Sequence, residues 1–247
     1  MRMIVAMIWF DLKRFGQSPW RILFGLTQPL LYLFVLGAAL RSGTYAEVAD
    51  YQAYLYPGIL GLALMFSAVS AAVGIVHERE VGFFRALLVA PVPRRHLAVG
   101  KVVAGAVLAF LQTLPLLPFA PVAGLGLTPV SLTQLVGAMF LSALVFSALG
   151  LALAMPFRSV LVFPVVSNAL LLPMLFLSGA LYPLDLAPDW IQLAARFDPA
   201  AYGIDLMRGA VSGQFAIAPG RSVLLLALCL LVAGVWVLAR LRRAAEQ

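Results

Sequence analysis

The side chains best equipped for chemistry in this chain stand in one run, His77-Glu78-Arg79-Glu80-Val81-Gly82-Phe83-Phe84-Arg85, which continues to Lys101. Between His77 and Lys101 lie five Lys or Arg residues, the acids Glu78 and Glu80, and the prolines Pro91 and Pro93. A mixture of this kind recognises another protein more readily than it turns over a small molecule. The spacing over Glu78–Val89 predicts a short amphipathic helix. Val81, Phe84, Leu87 and Leu88 fall toward one side, Glu78, Arg79 and Arg85 are the polar positions, and Pro91 and Pro93 end the helix. A short rigid helix held below a membrane suits a groove on a partner. The plainer alternative is a basic loop whose amphipathic pattern arose by chance.

Other chemistries lack their residues. No Ser/His/Asp or Cys/His set is evident, and His77 and His96 flank the charged run without metal-ligand spacing. Gly100-Lys101 is followed by Val102 where a phosphate loop needs Ser or Thr, and the upstream glycine is missing. No nucleotide-binding motif is therefore expected on this chain. The single cysteine, Cys229, cannot form an intrachain disulfide.

The elements that must position the charged run are apolar. The chain has 247 residues, 63% of them hydrophobic and 11% charged, too little polar surface for a soluble domain of this size. A membrane-spanning helix takes about 20 apolar residues. Six stretches qualify: Ile22–Leu40, Leu55–Val76, Val102–Leu125, Leu135–Phe157, Val160–Leu181 and Val223–Ala239, the fourth and fifth joined by a tight turn at Arg158 and Ser159. The net charge of +7 is distributed as a topology signal. With the N-terminus inside, 13 of the Lys and Arg residues fall in inside segments and only Arg41, Arg196, Arg208 and Arg221 fall outside. Both termini are thus expected on the cytoplasmic side. Residues 1–21 read as a helix lying in the interface, with Ile4, Ile8, Leu12 and Phe15 on one stripe; an unstructured lead-in is the alternative, and no cleavable signal is expected there. The run 77–101 reads as a cytoplasmic loop, and 182–222 as an external segment within a single membrane domain covering 1–247. In the external segment Asp198 can cap a helix that opens on Pro199 and closes at Gly213. A shorter helix around Asp189–Phe197 precedes it, and Trp190, Tyr202 and their neighbours are apolar enough to dip back into the outer leaflet, an ordinary external hairpin being the alternative. The spans hold no Asp, Glu, Lys or Arg, which disfavours an ion-coupled carrier. Their milder polar residues Gln28, Gln112 and Asn168 are candidates either for interhelical hydrogen bonds or for a substrate path. Pro29, Pro115, Pro118, Pro121, Pro164 and Pro173 predict bent spans.

The run Glu78-Arg79-Glu80-Val81-Gly82 through Leu87-Leu88, Pro91 and Gly100-Lys101 resembles the signature of type-2 ABC exporter permeases. Gln28-Pro29, Leu177-Ser178-Gly179, Tyr182-Pro183, Pro188, Trp190, Pro199, Tyr202 and Arg208 resemble the same family's pattern elsewhere, so the likeness covers nearly the whole chain. Phe83-Phe84-Arg85 departs from it, since many members carry small or polar residues and then an acid there. The resemblance implies an all-α integral membrane fold with six spans, and a half-transporter of the bacterial cytoplasmic (inner) membrane. It implies that Glu78, Arg79, Glu80, Gly82, Phe84, Arg85, Leu88 and Pro91 form a coupling segment against a separate ABC ATPase. That subunit would carry ATP and Mg, leaving this chain without cofactor or catalytic residue. It further implies a second permease copy, identical or a sister, and re-entrant external helices bearing Trp190, Asp198, Pro199, Tyr202 and Arg208. The implied cargo is an amphipathic drug, lipid or lipo-oligosaccharide, the drug-exporter and lipo-oligosaccharide branches being nearest. Rival classes are an ion-coupled secondary transporter, a lipid-modifying membrane enzyme, and a membrane scaffold without transport.

Overall fold

A computed structural model describes Trp9 and residues 11–13, 16–17, 19–37, 51–82 and 94–243. Those residues form helices and connecting turns, with no strand among them. The helices are α1 (Pro19–Leu31), α2 (Tyr51–Glu80), α3 (Arg94–Thr113), α4 (Pro129–Ala154), α5 (Val162–Leu177), α6 (Asp189–Ala195), α7 (Pro199–Ser212) and α8 (Pro219–Arg243). Four segments are long and apolar enough to cross a membrane: Tyr51–Glu80, Arg95–Ala123, Pro129–Ala154 and Pro219–Leu241. Gly25–Leu36 and Val162–Leu177 are apolar but shorter.

Proline and capping chemistry explain where the observed helices part from the expected spans. After Pro29, whose ring removes one backbone donor, the first span passes into a π-helical stretch at Tyr32–Leu36. The third begins at Arg94, eight residues before the expected start, and its α-helix stops at Thr113. Pro115, Pro118 and Pro121 then force Leu114–Ala123 into a 3₁₀ turn sequence that ends on left-handed Gly124. The Tyr56 hydroxyl donates to the Leu116 carbonyl (3.0 Å) and the Leu117 carbonyl (3.3 Å), tying this stretch to α2. The fourth span starts earlier than expected because Thr128 and Ser131 build a reciprocal capping box ahead of Pro129. The fifth is curtailed at Leu177, where the chain turns through Gly179 at φ 69°.

One expectation is overturned. Glu78 does not open a new short helix: α2 runs without a break through Glu80, so Glu78, Arg79 and Glu80 are its last turn. Nothing stops a helix between Pro57 and Gly82, and Gly82 ends it in the left-handed region at φ 76°. Residues 83–93, with Phe84, Arg85, Leu88 and Pro91, lie outside the described residues, as do 1–8.

α4 is the hub, packing against α2, α3, α7 and α8. Its buried face, with Leu135, Met139, Ala143 and Phe146, meets Leu55, Ile59, Leu62 and Met65 of α2 and Ile204 and Met207 of α7. Small residues permit the close approaches. A Cβ on Gly58 would collide with the backbone oxygen of Ala180, and one on Gly61 with Ile204. This is packing by shape, which drives helix association where apolar transfer offers little.

Candidate functional site

The charged run is positioned by the long helix that delivers it. α2 has 30 residues, about 45 Å at 1.5 Å per residue, against a hydrocarbon thickness of about 30 Å. Its last turn therefore projects past the apolar layer, with the basic residues His77 and Arg79 against the negative end of the helix dipole. Val81 N–H donates to the His77 carbonyl (3.0 Å) and Gly82 N–H to the Arg79 carbonyl (3.2 Å), closing the turn.

The helical period divides this turn into two faces. Glu78 points inward and is buried. Its Oε1 accepts from Lys101 Nζ at 2.7 Å, and the same ammonium lies 3.9 Å from Asp11 Oδ2. Arg79 is half-buried and its guanidinium donates to the Met155 carbonyl just past α4. Arg158 and Arg240 bring further positive charge toward it, and Arg240 lies 4.9 Å over the Trp236 ring of α8. Glu80, Val81 and Gly82 face outward and are exposed, and His77 is exposed too. Of the expected partner-facing residues, then, Glu78 and Arg79 tie α2 to its neighbours, while Glu80 and Gly82 remain on the outside. These two charged contacts fasten the last turn of α2 to α3 and to the end of α4.

At the opposite end of the bundle, Asp198 caps α7 as its spacing predicts. Its Oδ1 accepts from Ala200 N–H at 2.8 Å, Pro199 takes the first helical position, and Gly213 closes the helix at φ 73°. Burial lifts the Asp198 carboxyl to about 7, although the bond from Ala200 N–H opposes the shift. Asp205 accepts from Ala216 N–H (3.0 Å) and Ile217 N–H (3.2 Å), pinning the loop after α7 back onto it. Tyr202 donates to the Arg196 carbonyl at 2.6 Å. Arg208 stacks 3.8 Å over the Tyr54 ring and donates to the Gly179 carbonyl at 3.0 Å. The Tyr54 hydroxyl donates to the Gly179 and Tyr182 carbonyls, both at 2.9 Å. Together these contacts hold the turn after α5 between α2 and α7. α7 packs against α2, α4 and α8 and is buried along most of its length. α6 by contrast exposes Trp190 and Leu193, and Phe197 follows it exposed.

The three polar span residues do not converge. Gln112 accepts from the Ser67 hydroxyl at 2.6 Å, and its side chain covers Gly25 of α1, so it knits α1, α2 and α3 together. Gln28 is exposed, its amide 3.5 Å from the Tyr32 hydroxyl. Asn168 stands exposed on α5. Sequence reasoning passed over Asp11, Lys101 as a partner of Glu78, and Tyr54. The tyrosines Tyr51, Tyr54 and Tyr56 at the start of the second span were a usable signal, since aromatic residues with a polar tip collect where a span leaves the apolar layer. No cluster of His, Cys, Asp or Glu able to hold a metal occurs among the described residues.

The family model described as ABC-2 type transporter matches residues 2–211. The chain is 32% identical to "Putative transport permease ycf38" of Cyanophora paradoxa, over 83% of this chain and 71% of that protein. It is 30% identical to Nodulation protein J of Rhizobium leguminosarum bv. trifolii, over 83% of this chain and 82% of the relative. It is also similar, at 27% identity over 84% of this chain and 76% of the relative, to "Probable doxorubicin resistance ABC transporter permease protein DrrC" of Mycobacterium tuberculosis. A match across most of its length, joined to a bundle of long apolar helices, places the chain in the ABC-2 type transporter family as a multi-pass membrane subunit.

Proposed function

We propose that this chain is the permease half of an ATP-driven exporter. A soluble ABC ATPase grips the segment from His77 to Lys101 on the cytoplasmic side, a second permease copy completes the conduit, and an amphipathic drug, lipid or lipo-oligosaccharide leaves across the cytoplasmic membrane. In this reading the chain has six spans, Gly25–Leu36 and Val162–Leu177 crossing with the four longer segments, and both termini lie inside. The ATPase supplies ATP and Mg chemistry; this chain supplies the spans, the coupling turn and the lever. The observation that carries the reading is the last turn of α2. Its outer face (Glu80, Val81 and Gly82) is free for a partner, while its inner face is fastened to α3 and the end of α4 by Glu78 and Arg79. Force applied outside is thereby delivered inside. α7, buried between α2, α4 and α8, is the part of the external segment that re-enters the outer leaflet.

The test is transport in inverted vesicles holding this chain and its ATPase. Uptake should need hydrolysable ATP, stop when the ATPase's phosphate-loop lysine is replaced, and persist when an ionophore collapses the proton gradient. Uptake that follows the proton gradient in the absence of ATP would instead establish an ion-coupled carrier.

A further inference from the structure

Between α2, α3 and α4, next to the Glu78–Lys101 pair, lies a cavity of about 450 Å³. Its origin is in the sequence: α2 carries Ser67-Ala68-Val69-Ser70-Ala71-Ala72 and Gly74 in two turns, and such short side chains leave the space against α3 and α4 unfilled. The volume falls within the range of sites for small organic ligands. One end is polar, formed by Glu78, Lys101, Asp11 and His77; the remainder is mostly apolar, with Ile75 and Leu108 among its walls.

Among the described residues the charge at the polar end is unbalanced: two carboxylates, Glu78 and Asp11, face the one ammonium of Lys101. Glu78 is 10% exposed in its side chain, and Oε1 is taken by Lys101. Oε2 is buried and has no hydrogen-bond partner among the described residues. A buried carboxylate oxygen without a donor carries a desolvation cost that an N–H donor would remove.

We propose that this cavity binds protonated amines with an apolar body. Glu78 Oε2 accepts the ammonium N–H, and the body lies along the small-residue face of α2. The one-sided excess of acid selects a cation over an anion, and the apolar walls select an amphiphile over a small metal ion. That such amines are cargo rests on the export reading above; their binding does not.

The experiment uses the full chain in nanodiscs of phosphatidylcholine, with dansylcadaverine, a primary amine on an apolar fluorophore, as the probe and its N-acetyl derivative as the neutral control. Fluorescence titration should show the amine bound at least tenfold more tightly than the acetylated probe, and Glu78→Gln should erase that preference. Should Glu78→Gln fail to fold, Ala71→Leu takes its place: it fills the hollow, keeps the carboxylate, and should weaken the amine at least tenfold. Phosphatidylethanolamine added to the discs identifies the natural source of the amine. Displacement of the probe assigns it to a lipid headgroup, and no displacement assigns it to a free amphiphile. Equal binding of the two probes, unchanged affinity in a folded Glu78→Gln protein, or no saturable binding would overturn the proposal, and would leave a water as the partner of Oε2. Because no ATPase is present, loss of ATP-driven transport with intact amine binding counts against the export reading alone.

Discussion

At the scale of single residues, two carboxylates in this protein behave differently because of what surrounds them. Glu78 keeps a cation at 2.7 Å, whereas Asp198 is buried with one oxygen held by a backbone N–H and the other unpartnered among the described residues. Removing the partner of a buried charge is costly, so Lys101→Ala should lower stability by about 3 kcal/mol. Glu78→Gln combined with Lys101→Met should recover much of that loss, a pattern that a double-mutant cycle in denaturant unfolding will reveal. For Asp198 the sign follows from a folded-state value near 7 set against an ordinary 3.8. Between those values the folded protein holds the proton and the unfolded chain has released it. Stability contributed by this group is therefore full below about pH 4, declines as pH rises toward 7, and is gone above that. Asp198→Asn keeps an oxygen for the Ala200 N–H and has no proton to lose. It should flatten this decline and be more stable than the parent at pH 8. Asp198→Ala should lose the cap at a cost of about 1 kcal/mol. Hydrogen exchange along α7 measures both; an identical pH profile in parent and Asp198→Asn would refute the assignment.

Among the elements, α2 combines three jobs. Its first half is packed by shape against the turn after α5, its small-residue middle opens a cavity, and its last turn carries charge. Gly58 meets the backbone at Ala180 with no room for a methyl group. Gly58→Ala gains some helix propensity, up to about 1 kcal/mol, but must push a backbone segment aside, a cost of about 1–3 kcal/mol. Net destabilisation is expected. Gly137 on α4 has open space around it, so Gly137→Ala should be neutral or stabilising by up to about 1 kcal/mol. Thermal unfolding of the two variants in one detergent checks the contrast. At the far end, Gly82 ends α2 in a backbone region that L-residues adopt at a cost of about 1–2 kcal/mol. Gly82→Pro, which cannot take φ 76°, should redirect the chain toward residues 83–93. ATP hydrolysis by the assembled transporter should then continue while export fails. Coupled transport at the normal ratio would show that this turn is not the lever.

For the molecule as a whole, the bundle is organised around α4, with α7 inserted where an ordinary surface loop would lie outside. The Glu78–Lys101 pair fastens one end, and a tyrosine–arginine stack with several backbone carbonyls ties the other. In the proposed function such a bundle moves by rearranging packed helices and draws its energy from the ATPase subunit. The isolated chain should therefore show no ATP hydrolysis above background; turnover by a preparation free of ATPase subunit would contradict its role as a passive half. A cysteine at Gly82 should crosslink to the ATPase in the assembled complex, and labelling of that cysteine only from the outside of intact cells would reverse the proposed orientation.

The amino-acid order by itself determined what depends on neighbours along the chain. Apolar run length marked the helical segments, the Asp198-Pro199 cap and Gly213 bounded α7, and the clustered prolines announced a disturbed third span. The family signature was legible for the same reason, as a string of local residue types. The capping box at Thr128 and Ser131 was equally local and could have been read from Thr-Pro-Val-Ser. Other features depend on residues far apart in the chain. The family resemblance assigns Glu78 and Arg79 to a segment that faces a partner. Only the continuous helix of α2, and its phase against α3 and α4, turns them inward to Lys101 and the Met155 carbonyl. The same phase leaves the cavity beside Ala71, and the approach of α7 to α2 places Arg208 over Tyr54. A helix's existence is settled by local sequence, but which of its faces is buried, and against what, is settled by the helices that pack on it.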